Sequence, residues 1–314
     1  MKGVVESPRK AYGEALIALG ESDPDMVVMD ADLSTSTKTA MFAKKFNDRF
    51  FNAGIAEQNM MAMAAGLSID TRTVFVSTFA IFAAGRAYDQ IRQSIAYSSL
   101  NVKIVATHGG ITVGGDGASH EMIEDIGLMY GLPNMKIFIP VDSNETYNGI
   151  ISIAKIKGPF YVRLSRMETE TITERETEFK INEIPVLREG SDAVIVGTGQ
   201  VLKRALDVAE SLKKQNIDVA VYNMHTIKPV NREEIERIAR KYGVIVTIEE
   251  HNINTGVGAI ISSVTSDVYP VHVVKLGIHD IFGESGEADE LMDKYGLSVK
   301  DIEEGVKYAM KIRG

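Results

Sequence analysis

The sequence predicts a two-domain α/β protein, each domain a mainly parallel sheet flanked by helices. Three observations carry that expectation. Short apolar runs of strand length alternate with longer helical patterns up to residue 164, and the alternation restarts near residue 188. Between the two series lies a polar stretch with glutamates at 168, 170, 174, 176, 178 and 183, which leaves little to bury and reads as a linker. Polar or glycine-rich loops follow several strands, as expected at the carboxyl edge of a parallel sheet, where function collects. The expected division is 1–166 for the first domain, 167–187 for an acidic linker and 188–314 for the second domain.

Ser7-Pro8 sets a capping serine before a first-turn proline and opens a helix whose apolar face is Ala11, Ala15, Leu16 and Leu19, with Gly20 as its expected end. Residues 26–29 form a short buried strand that breaks into the polar loop 30–37. A helix to about Phe46 and a strand at 49–52 follow. Gly54 then turns the chain into a helix entered through Glu57, Gln58 and Asn59, which continues as the apolar run 60–67. A strand at 73–77 feeds a helix over 79–97, and a strand at 102–107 opens into a glycine-rich loop. Strands at 136–139 and 160–164 flank a helix over 143–156. In the second series, strands at 193–196, 218–222, 244–248 and 271–276 alternate with helices at 201–214, 232–241 and 256–267. The two halves share an architecture but no residue-level repeat.

The chain has 314 residues, 45% hydrophobic and 25% charged, the composition of a globular protein. Its net charge of −9 argues against a nucleic-acid surface, so an anionic substrate needs a local cluster of cations. There is no cysteine, no apolar run of membrane-spanning length and no signal-peptide core, which together point to the cytoplasm.

Several features draw the eye towards other chemistry. Gly197-Thr-Gly199 follows a strand, but the third glycine of a dinucleotide loop is replaced by Leu202, and a tight strand-to-helix turn explains it as well. His225, His251, His272 and His279 lack metal-ligand spacing. Gly115-Asp116-Gly117 with Asn144 downstream has the outline of a magnesium-diphosphate motif, but the Asp lies nine residues beyond its strand and Asn144 opens a helix, so a metal role is not assigned.

The titratable residues that remain form a constellation. Glu57 at the mouth of an apolar helix is either a first-turn acid satisfying helix N–H groups or a poorly hydrated carboxyl whose pKa rises with burial. The loop 107–120 carries five glycines together with His108, Asp116 and His120. So many glycines mark a backbone that turns tightly or approaches a ligand closely. Phe79 and Phe82 share a helical face, ordinarily a core-packing pattern. Arg9 at a helix start and Arg166 past a strand end suit bidentate phosphate binding, although such arginines are commonly surface charges.

Gly-Ile-Ala-Glu-Gln-Asn-Met at 54–60 resembles the segment of the thiamine-diphosphate enzymes, the transketolase family above all, that carries the glutamate bonded to the cofactor's aminopyrimidine ring. The loop 107–120 is similar to the family's Thr-His-Asp-Ser-Ile-x-x-Gly-Glu-Asp-Gly-x-x-His, and Thr78-Phe-x-x-Phe82 to its aromatic slot. Gly85 stands where the family usually has a tyrosine, and Gly85-Arg-Ala-Tyr-Asp-Gln90 looks like the related deoxyxylulose-phosphate synthases. The resemblance spans the chain from Arg9 onward. It implies a pyrimidine-binding domain followed by a transketolase C-terminal domain, and transfer of a two-carbon ketol unit between sugar phosphates.

By the same resemblance, Glu57, His108 and His120 are catalytic, while Glu57, Phe79 and Phe82 bind thiamine diphosphate. Arg9, Ser36, His108, Asp116, His120 and Arg166 bind substrate. Magnesium and the diphosphate are expected on a separate N-terminal subunit carrying Gly-Asp-Gly and a downstream Asn, because that domain is missing here. Two such junctions about a twofold axis give a heterotetramer. On the isolated chain, Phe79, Phe82 and Glu57 are expected to form an exposed apolar docking surface. A beta-type subunit of a 2-oxo acid dehydrogenase or of a synthase-like enzyme, and a non-catalytic assembly subunit, are the alternatives.

Overall fold

The computed structural model describes residues 3–70 and 72–313. The first domain is built on a seven-stranded sheet in the order Thr226–Lys228, Lys136–Phe138, Phe160–Arg163, Val102–Thr107, Val74–Phe79, Val27–Asp30, Phe50–Asn52. All neighbours are parallel except Thr226–Lys228, which the second half of the chain lends to the edge in antiparallel sense. Every residue of Val74–Phe79 and Val102–Thr107 is buried, because helices cover both faces and no side of these strands meets water. The second sheet runs His272–Ile278, Val244–Asn252, Ala193–Gly197, Val219–Asn223, Val186–Arg188, the last strand antiparallel. One apolar core is continuous across the two sheets, from Met29 and Val76 through Ile137 to Val196 and Tyr222.

Most expected elements are present within a few residues, and the departures have local causes. The first helix, Pro8–Ser22, passes through Gly20, which is not its end. Gly20 instead lets the helix lie against Phe42 and Phe46, where a Cβ would meet ring carbons at 2.7 Å. The single helix expected over 79–97 is replaced by a strand running to Phe79 and two π turns, Ile81–Arg86 and Ile91–Ala96, separated by Tyr88–Gln90. In each π turn a backbone N–H reaches five residues back, Ala87 to Phe82 and Tyr97 to Arg92. Such turns recur at functional sites.

The strand Val244–Asn252 runs four residues beyond its expected end, since Glu249, Glu250 and His251 are buried with partners. The acidic stretch is not a solvated tether. Thr169–Glu170 pairs with Val5–Glu6, and Thr171, Phe179 and Ile184 are buried. Among the described residues, no helix is long and apolar enough to cross a membrane.

Candidate active site

The parallel register brings the first group together. Phe79 and Thr107 are Cα partners on adjacent strands, so the next residue, His108, emerges beside Phe79. His108 adopts φ 60°, and its ring stacks on Phe79 with centroids 3.7 Å apart and planes at 25°. Phe82 stacks on the same phenyl at 5.8 Å and 11°, while His120 stands edge-on to Phe82 at 5.5 Å and to Phe79 at 6.3 Å. Four rings therefore meet at the carboxyl edge of the sheet. Burial, then the Arg9 and Arg166 guanidiniums and His120, push His108 down to about 3. It is a neutral imidazole at pH 7, with Nδ1 bonded to Thr107 Oγ1 at 2.8 Å.

Gly54, at φ 72°, turns the chain from its strand into the helix Glu57–Leu67, and Glu57 is only 2% exposed. Its partner is a cation to which the sequence assigned no role. Arg86 Nη1 lies 3.0 Å from both carboxylate oxygens, and the Arg86 guanidinium sits 4.4 Å from the centroid of Phe82. The expected exposed apolar face is thus corrected. Glu57 and Phe79 are buried, Phe82 is half-buried, and Arg86 and His108 cover them. The π turn Ile81–Arg86 delivers Arg86 to this position.

The cations also converge. Arg9 Nη1 donates to Ser36 O and Nη2 to Arg166 O, both at 2.9 Å, and Arg166 Nη1 donates to Val113 O. Burial, then the Arg166 charge, lower the pKa of Arg9. Two guanidiniums held in one place repel each other, and a bound anion relieves that repulsion. The structure thus gathers Arg9, Ser36 and Arg166 beside His108, whose imidazole feels both cations, and His120 completes the ring cluster. Asp116 ends the 3₁₀ turn Ile111–Asp116 and is exposed.

The features pointing to other chemistry take structural roles. Asn144 Nδ2 donates to Thr173 O at 2.8 Å from inside the helix Ser143–Ala154. Gly197 and Gly199 form the turn between Ala193–Gly197 and the helix Leu202–Lys213, with Gly199 at φ 71°. His225 packs between Phe138 and Phe179, and burial lowers it to about 4. His251 Nε2 accepts from Ile126 N at 3.2 Å. His272 and His279 are exposed. The residues that sequence reasoning missed are Arg86, Gln200 and Glu250. The one signal for the last was an unusual Glu-Glu-His run, 249–251, closing an otherwise apolar strand.

The family described as transketolase, pyrimidine binding domain matches residues 7–171, and that described as transketolase, C-terminal domain matches residues 182–302. The chain belongs to the transketolase family. A Methanocaldococcus jannaschii protein described as a "putative transketolase C-terminal section" is 48% identical over 314 residues, 99% of this chain and 98% of that one. A 6-deoxy-6-sulfo-D-fructose transketolase subunit of a Clostridium species is 36% identical, over 94% of this chain and 91% of its own length. Human transketolase is 35% identical over 95% of this chain, which spans 48% of that enzyme's length. Among solved structures, a split-gene transketolase described as an inactive beta4 tetramer has 46% identity and a TM-score of 0.92, covering 98% of this chain and 99% of that one. Leishmania mexicana transketolase, at 24% identity and TM-score 0.84, shares the fold over 46% of its chain.

Proposed function

We propose that this chain is the C-terminal subunit of a split transketolase, transferring a two-carbon ketol unit from a ketose phosphate to an aldose phosphate with thiamine diphosphate. The observation that carries the reading is the junction of a buried carboxylate, an aromatic face and a pair of arginines around two histidines. The position of Arg86 supports a fit to the cofactor. A planar N–H donor already lies between the Glu57 carboxylate and the Phe82 ring. An aminopyrimidine is also planar and N–H-bearing, so Glu57, Phe79 and Phe82 have the chemistry to hold it. Thiamine diphosphate supplies, when bound, the carbon nucleophile that no side chain offers.

The remaining work falls to the chain's own residues. Glu57 holds a proton at the ring nitrogen. His108, neutral at pH 7, accepts or donates a hydrogen bond at a substrate hydroxyl, and His120 relays a proton beside it. Arg9 and Arg166, with Ser36, take the terminal phosphate, and Asp116 meets a donor hydroxyl. Magnesium and the diphosphate are held by an N-terminal partner bearing Gly-Asp-Gly and a downstream Asn, with two copies of each chain about a twofold axis. A 46%-identical chain that forms an inactive beta4 tetramer supports the need for that partner. The sulfo-sugar relative supports a second anion class, since sulfonate offers the Arg9–Arg166 pair the same oxygens as phosphate.

Calorimetry and a coupled ketose assay test the reading. The lone chain should show no micromolar binding of thiamine diphosphate with magnesium, and both binding and ketol transfer should appear on adding the N-terminal subunit. Tight binding and turnover by the lone chain would overturn it and reopen Gly115-Asp116-Gly117 as a metal site.

A further inference from the structure

The second domain makes an unusual contact with the site. Glu250, buried at the end of the strand Val244–Asn252, accepts from both the backbone N–H and the hydroxyl of Thr112, each at 2.7 Å to Oε1. Gln200 Nε2 donates to Glu250 Oε2 at 3.1 Å and to Thr112 Oγ1 at 2.8 Å. The other end of the same amide, Oε1, accepts from Ser165 Oγ at 2.7 Å. Thr112 lies in the loop that carries His108 and His120, and Ser165 immediately precedes Arg166. Two side chains of the second domain thus hold both segments from which the first domain presents its substrate residues.

The surroundings are shaped to the same contact. Arg163 Nη2 donates to Glu250 O at 3.0 Å and to Met122 O at 3.1 Å, and Met122 O also accepts from Gly110 N at 2.7 Å. Gly110 sits at φ 90°, and a Cβ there would fall 2.1 Å from Glu250 Oε1, so only glycine lets the loop close over the carboxylate. Gly197-Thr-Gly199 also gains a purpose, because that turn presents Gln200. A Cβ on Gly197 would meet Ile248 at 2.5 Å, so this close approach fixes where the amide stands relative to the Glu250 strand.

We propose that Glu250 and Gln200 are positioning residues that set the substrate loop and Arg166 in their binding geometry before substrate arrives. This deepens the transketolase reading and rests on it for the substrate. A loop ordered in advance spares the substrate the entropy of ordering it and keeps His108, Arg9 and Arg166 in register. Without the clamp the glycine-rich segment is free to wander, and binding of the sugar phosphate weakens more than that of the cofactor, because Glu57, Phe79 and Phe82 stand outside the loop and lose only the packing of His108 and His120.

The test has two arms. In amide exchange on the full chain, Gln200→Ala and Glu250→Ala should speed exchange over 109–117 by about tenfold or more, with strands 74–79 and 193–197 unchanged. In the complex with the N-terminal subunit, the same variants should raise KM for the ketose phosphate about tenfold, with the Kd for thiamine diphosphate changing by less than about threefold. Glu250→Gln keeps an oxygen for Thr112 and should stay within about threefold of wild type. Gln200 is only half-buried, so Gln200→Ala decides the matter if Glu250→Ala fails to fold. Unchanged loop exchange in Gln200→Ala, or a KM that does not move, overturns the proposal. A wild-type complex without ketol transfer overturns the functional reading instead, and the exchange arm still decides the clamp.

Discussion

At Glu57 two demands meet in one carboxylate. Burial leaves it little water, and Arg86 supplies the compensating charge from a half-exposed position. Removing Arg86 strands a buried carboxylate, a loss below the about 3–5 kcal/mol of a wholly buried pair because water screens the arginine. Arg86→Ala should therefore lower the urea midpoint of the isolated chain, and Glu57→Gln with Arg86→Ala should recover most of the loss. If the double variant recovers nothing, the coupling is not with Glu57. In the assembled complex Glu57→Gln should fold normally yet turn over about a hundredfold more slowly, the scale of a general acid–base group. Arg166→Ala should raise KM for phosphorylated sugars by one to two decades, since a charge-assisted contact contributes about 1.5–3 kcal/mol, and should spare an unphosphorylated donor. Equal losses on both donors would make Arg166 structural.

The acidic stretch shows what an element can hide from its composition. Counting glutamates makes residues 167–183 a linker, yet one aspartate elsewhere pins it down. Asp142 caps the helix Ser143–Ala154 by accepting from Glu145 N at 2.9 Å. Its other oxygen accepts from Ile172 N and Thr173 N, both at 2.7 Å. Asp142→Ala removes the cap, about 1 kcal/mol, and leaves two further N–H groups without an acceptor, about 1–3 kcal/mol each where buried. Limited proteolysis should then cut within 167–183 well before the folded domains, whereas wild type resists there; equal resistance in both would mean the stretch is held by its other contacts, the pairing with Val5–Glu6, the Asn144 and Asn148 amides and buried Phe179. The same contrast explains what could be read in advance. Strands such as Val74–Phe79 and Val102–Thr107 were legible because apolar runs announce burial, and Glu57, Phe79, His108 and His120 because their motifs, 54–60, 78–82 and 107–120, resemble those of a known family, position alone leaving Glu57 and Phe79 open to a structural reading. Arg86 was not, since a π turn places it one residue away from where α-helical spacing would. Glu250 was not, because its partner Thr112 lies 138 residues away and sequence spacing says nothing about that contact.

Across the whole molecule, buried acids and buried histidines set opposing dependences of stability on pH. Burial pushes Glu145 up to about 8 and Glu249 to about 7, while Glu121, buried beside Glu250 and Glu284, also rises to about 7. Each holds a proton in the folded chain that the unfolded chain, near 4.5, has released. Their stabilisation is complete below that value and is lost as pH rises through the folded values. The histidines run the other way. Burial lowers His108 to about 3 and His225 and His251 to about 4, so their contribution is complete above the unfolded value of 6.5 and fades as pH falls towards 4. Between 4.5 and 6.5 the two sets offset each other; above 6.5 the histidines are neutral in both states and the acids lead, until Lys103, which burial lowers to about 7, offsets Glu145 from about pH 7 upward. Stability of the isolated chain should therefore be level from about pH 4.5 to 6.5, fall between 6.5 and about 7, and level off towards about pH 8, read as the urea midpoint at constant ionic strength. Glu145 has the highest folded value of the three, and its oxygens bond Val141 N at 2.7 Å and Asn223 Nδ2 at 2.9 and 3.1 Å. Glu145→Gln keeps an acceptor for those donors but cannot titrate, so it should soften the fall between 6.5 and 7 and, with Lys103 unopposed, make stability rise between 7 and 8. A midpoint that is level or rising between 6.5 and 7 in wild type would mean these carboxyls are ionised in the folded chain. An unchanged slope in Glu145→Gln would move the titration to Glu249 and Glu121.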